Sequence, residues 1–96
     1  MVDTLFKVTA RVSSDALAAA KVVLDELLPA GATKEEDGEL RVEAELAGPT
    51  AKDLNRTLLS ALRRAHKKTR LRAQWTSPDG TTESFFDYGL KKTTRS

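Results

Sequence analysis

The residues of this 96-residue chain best suited to chemistry are its cations. Lys52, Arg56, Arg63 and Lys67 fall within about 60° of one side of a helical wheel, and Arg64, Lys68, Arg70 and Arg72 crowd the same stretch. Such a stripe suits a phosphate backbone, because neutralising phosphates releases condensed counterions. The same stripe also serves solubility, and cations in a last helical turn complement the helix dipole. A second grouping sets aromatic rings beside arginines. If Pro78-Asp79-Gly80 turns a hairpin, Trp75 faces Glu83, Ala73 faces Phe85, Arg72 faces Phe86 and Arg70 faces Tyr88. That register places Phe86 and Tyr88 on an open sheet face, with Lys7 and Arg11 of a neighbouring strand extending the positive region. Rings and guanidinium groups so placed form a stacking platform for bases. They also stabilise a sheet with no ligand present.

Catalytic constellations are not legible. His66 is the single histidine and sits among Arg63, Lys67 and Lys68, and no carboxylate is within evident reach to orient it as a general base. Glu35-Glu36-Asp37 lacks the spacing of a calcium loop, and the isolated glycines form no phosphate-cradling loop. Without cysteine there are no thiolate nucleophiles, disulfides or common structural zinc sites. The expectation is a chain with no catalytic residue, no metal and no cofactor.

These side chains need elements to hold them. Residues 5 to 12 alternate as a half-buried strand, with Phe6, Val8, Ala10 and Val12 inward. Ser13-Ser14-Asp15 offers capping groups, and Leu17, Ala20, Leu24, Leu27 and Leu28 recur at helical spacing, so a helix is expected from about 14 to 28, ended by Pro29. Thr33 to Glu36 is a weak strand turned by Asp37-Gly38 into a clear one over 39 to 46, with Leu40, Val42, Ala44 and Leu46 inward. Thr50 caps a second helix whose apolar stripe is Leu54, Leu58, Ala61, Leu62 and Ala65. Strands over 70 to 77 and 81 to 88 follow, and the residues after Gly89 are polar and without period.

The order is βαββαβ with an added C-terminal hairpin strand. It predicts an α+β, two-layer sandwich of ferredoxin-like type, strands in the order 4-1-3-2 and the extra strand beside the fourth. The RNA-recognition fold shares this order and stacks bases on aromatics of its first and third strands. Here Phe6 of the first strand points to the core and Glu39, Glu43 and Glu45 of the third point out, so the resemblance is one of topology.

Charge is divided along the chain. Residues 1 to 48 hold five bases against ten acids, and residues 49 to 96 hold eleven against four. Whether this becomes a polarity in space depends on how the strands interleave. The sequence therefore predicts one domain over 1–89 with a flexible basic tail over 90–96, non-enzymatic, cytoplasmic and without a membrane span. Its expected nucleic-acid contacts are Arg56, Arg63, Arg64, Lys67, Lys68, Arg70, Arg72, Phe86 and Tyr88. The alternative is a homodimer whose open faces pair Arg41, Arg70 and Arg72 with Glu39, Glu43 and Glu45 of a second copy, or a small anion held between copies.

Overall fold

The computed structural model describes residues 3–29 and 31–95, with the backbone alone at Arg95. Met1, Val2, Ala30 and Ser96, the last residue of the expected tail, lie outside the described residues. The elements are β1 (Thr4–Ser13), α1 (Leu17–Leu27), β2 (Thr33–Glu36), β3 (Glu39–Gly48), α2 (Ala51–Ala65), β4 (Arg70–Thr76), β5 (Thr81–Phe86) and β6 (Gly89–Arg95). All six strands form one antiparallel sheet in the order β2-β3-β1-β4-β5-β6. The class is α+β, and the first four strands stand in the order expected from the sequence.

Period-2 alternation sends one side of each central strand inward. Phe6, Val8, Ala10 and Val12 of β1, Leu40 and Val42 of β3, and Leu71, Ala73 and Trp75 of β4 are buried together with Ala20 and Leu24 of α1 and Leu58, Leu59 and Leu62 of α2. Both helices thus cover one face, where burying apolar area drives assembly. The other face carries no helix.

Three helix details differ from expectation. Helix α1 begins at Leu17 rather than near residue 14, because Ser14 bends its Oγ back to accept the Ala16 N–H at 3.1 Å and no side chain caps the helix. Leu27, expected in the core, is 44% exposed on the outer side. In α2 the Thr50 cap is present, its Oγ1 accepting from the Asp53 N–H at 3.1 Å. The buried stripe of α2 is Ala51, Asn55, Leu58, Leu59 and Leu62, so the helix is rolled away from the expected Leu54, Ala61 and Ala65 side.

The β4–β5 register matches the sequence reading from Trp75↔Glu83 through Ala73↔Phe85 to Arg72↔Phe86. It stops there. Strand β5 ends at Phe86, Asp87 takes a positive φ of 54°, and the chain turns back. The residues expected as a tail form β6, paired with β5 from Phe86↔Gly89 to Thr81↔Arg95 with an irregularity at Ser84/Phe85. The turn of this hairpin packs against α2, but the side chains of β6 from Leu90 to Thr94 are exposed.

Candidate nucleic-acid interface

Residues directly opposite in an antiparallel pair share a face, so the registers arrange the open side in rows. One row runs Lys34, Arg41, Arg11, Arg72, Phe86 across β2, β3, β1, β4 and β5. The next runs Glu43, Thr9, Gln74, Ser84, Lys92, and the third contains Glu45, Lys7, Thr76, Thr82 and Thr94. On the other side of the cationic row, Glu36 pairs with Glu39 and Ser13 with Arg70.

The strands thereby turn the division along the sequence into a division in space. On β2 and β3 the open face mixes Lys34 and Arg41 with Glu36, Glu39, Glu43 and Glu45, and Arg41 is paired to Glu36 at 3.7 Å and to Glu43 at 3.4 Å. On β1, β4, β5 and β6 the same face presents Lys7, Arg11, Arg70, Arg72, Lys91 and Lys92, and among the described residues of these strands it presents no carboxylate.

Phe86 is the centre of that second half. The Arg72 guanidinium lies 5.0 Å from its ring centroid, the Lys91 ammonium 5.8 Å and the Arg70 guanidinium 5.9 Å, all within cation–π range. A groove of about 460 Å³ opens beside the ring, lined by Thr9, Arg11, Arg72, Gln74, Ser84 and Lys91. Arg70 also lines a second hollow, at the end of the sheet, with Arg63, Lys67, Lys68 and the carboxylates Asp15 and Asp87. The open face and the α2 end therefore meet at Arg70.

A buried polar network fixes the turn next to Phe86. Asn55 is 1% exposed, accepts the Trp75 indole N–H at 3.2 Å and donates to the Asp87 carbonyl at 2.8 Å. Asp87 also exchanges backbone contact with Leu71, its N–H donating to the Leu71 carbonyl at 2.7 Å while its Oδ1 accepts the Leu71 N–H at 3.1 Å. Each group left unpaired there would cost about 1–3 kcal/mol, so the turn has little freedom.

The nine residues expected to bind separate into three sets. Arg70, Arg72 and Phe86 come together on the open face as the register implies. Arg64, Lys67 and Lys68 are exposed at the end of α2 and in the loop after it, while Arg56 lies further along the helix, bonded to Asp53 at 3.0 Å. Arg63 and Tyr88 do not join the platform. Arg63 is half-buried, donates through Nε to the Thr69 carbonyl at 3.1 Å, pairs with Asp87 at 3.4 Å and lies 5.1 Å from the Tyr88 ring. Tyr88 sits in the turn on the helix side, its hydroxyl 3.3 Å from Ser60 Oγ, because the positive φ at Asp87 breaks the alternation that would have placed it outward.

Sequence reading missed Lys91 and Lys92, which looked like tail residues, and it missed Asn55 and Asp87 as the residues that position the turn. His66 is half-buried, its Nδ1 accepting the Lys68 N–H at 3.3 Å. Among the described residues no cluster of three or more His, Cys, Asp or Glu could hold a metal ion, and no helix is long and apolar enough to cross a membrane. No family model, curated protein or solved structure matches the chain.

Proposed function

We propose that this chain is a non-enzymatic, cytoplasmic nucleic-acid-binding module of ferredoxin-like build, which binds through the open face of β1, β4, β5 and β6. One observation carries the reading: six cations share that face with one aromatic ring and no described carboxylate of those strands. Like charges so gathered repel one another in the free protein, and a polyanion relieves that repulsion while releasing counterions. Lys67 and Lys68 lie next to Arg70 at the sheet end, in a hollow where Asp15 and Asp87 offset part of their charge. The strand order β2-β3-β1-β4 supports the ferredoxin-like reading. Arg63, expected as a contact, becomes a structural tie in this account.

The test is fluorescence anisotropy of labelled RNA and DNA at about 50 and 200 mM salt. Saturable binding that weakens steeply with salt is expected, and the double substitution Arg11→Glu with Arg72→Glu should lower affinity about 50-fold or more at the lower salt. Binding unchanged by that pair would remove the open face from the account.

The division of charge also favours a second reading, a dimer. A two-fold axis along β1 would lay the acidic β2–β3 half of one copy over the basic half of the other. Light scattering separates the two: a stable dimer mass, lost on Phe86→Asp, together with no nucleic-acid binding would favour the paired faces.

A further inference from the structure

We infer that the ligand is single-stranded, lays one base on Phe86, and occupies no more than about four nucleotides; this rests on the nucleic-acid reading above. The base comes from the ring. Phe86 is the one aromatic side chain on the described open face, since Phe6, Trp75 and Phe85 are buried and Tyr88 is drawn to Arg63 and Ser60. In a duplex each base face is already covered by its neighbours, so the ring could engage only a terminal pair. An unstacked strand offers a π-face directly, and stacking of this kind is sequence-tolerant.

The extent comes from the charges. Lys91 on β6 and Arg11 on β1 lie three strand spacings apart, roughly 14 Å, and a stacked strand advances about 3.4 Å per nucleotide. Beyond β1 the next strand presents Glu39, Glu43 and Glu45, and its Arg41 is already held by Glu36 and Glu43. A phosphate passing β1 therefore meets repulsion. Within the allowed span, Arg72, Arg70 and Lys91 lie over the Phe86 ring in the free protein, so an incoming base takes their place on its face and leaves their charges for the flanking phosphates, while Gln74, Ser84 and Thr9 line the groove with uncharged groups able to bond base edges.

The experiment titrates the intact protein into fluorescein-labelled oligo-uridines and oligo-thymidines of about two to twelve nucleotides, and into a blunt duplex of the longest length, at about 50 mM salt. Affinity should rise to about four nucleotides and then level, with the duplex bound at least about tenfold more weakly. Phe86→Leu should reduce single-strand affinity about 5- to 150-fold, the range for one base–aromatic stack, and leave the salt slope unchanged. Phe86→Tyr, which keeps a π-face, should retain affinity, and circular dichroism establishes that both variants are folded. Equal binding of duplex and single strand, affinity that climbs to the longest oligomer, or a folded Phe86→Leu variant that binds like the parent would each overturn this inference while leaving the broader function standing. No binding to any oligonucleotide would overturn both.

Discussion

Two hairpins flank the central strand β1 and its partners, and both turn on an aspartate with positive φ, Asp37 at 52° and Asp87 at 54°. The first is a solvated tip. Asp37 is exposed and followed by Gly38 at φ 77°, which takes the left-handed conformation at no steric cost. The second is tied to the body of the protein through Asn55, Arg63 and Leu71. The faces beside them differ in the same sense, since Arg41 of β3 is compensated by Glu36 and Glu43, whereas among the described residues no carboxylate is paired to Arg70, Arg72 or Lys91 around Phe86. Rigidity and uncompensated charge coincide at one hairpin, which is what a preformed binding surface requires.

The largest effect should come from cutting the tie. Asn55→Ala leaves the buried Trp75 indole N–H and the Asp87 carbonyl without their partner, and is expected to cost about 2–4 kcal/mol and to lower the thermal midpoint by about 10 °C or more. Urea unfolding followed by Trp75 fluorescence measures it. A loss below about 0.5 kcal/mol would mean that the β5–β6 turn is no more anchored than the Asp37 turn.

A matched pair of smaller changes sharpens the contrast. Asp87→Asn keeps an acceptor for the Leu71 N–H but removes the charge opposite Arg63, and should cost about 1 kcal/mol. Asp37→Asn makes the same chemical change at the same backbone conformation on a solvated tip, and should stay within about 0.5 kcal/mol of the parent. Equal destabilisation in denaturant titrations would show that backbone strain, not the network, distinguishes the two turns.

How much of this was legible depends on where each residue's partners lie. The alternation of β1, β3 and β4 was readable because one side of each strand is buried under helices, and the β4–β5 register followed from Pro78-Asp79-Gly80. Strand β6 was not readable because its side chains from Leu90 to Thr94 are exposed, and a strand exposed on both faces has no apolar period to display. Tyr88 was misplaced because extending the alternation assumes a continuous strand, and no glycine marks the residue where the backbone turns. Asn55 escaped because a wheel centred on apolar residues passes over a buried amide. Its signal was Trp75, whose indole N–H needs an acceptor once buried. Arg63 belonged to the cationic stripe by spacing, yet its partners Thr69, Asp87 and Tyr88 come from elements that only folding brings near. Of the expected grouping, the neighbours fixed by local period lie together on the open face, and the residues with distant partners lie elsewhere.

The smallest effects are the most discriminating. Arg41→Gln and Arg72→Gln each remove one positive charge from the same row of the same sheet face, so the protein's net charge falls equally in both. If the molecule attracted nucleic acid only as a diffuse positive body, the two variants would lose affinity alike. Arg41 is already engaged by Glu36 and Glu43, and its removal frees those carboxylates as well as deleting a cation. It lies outside the groove beside Phe86, so its loss should alter affinity for a short single strand by less than about twofold and leave the slope of log affinity against log salt near the parent's. Arg72 is stacked on the ring at 5.0 Å with no carboxylate paired to it among the described residues. Its loss should cost about five- to tenfold at 50 mM salt and reduce the slope by close to the 0.7 expected for one phosphate contact on a single strand. Two equal losses would dissolve the distinction between the halves of the face, whereas a change in slope confined to Arg72→Gln would locate a phosphate beside Phe86.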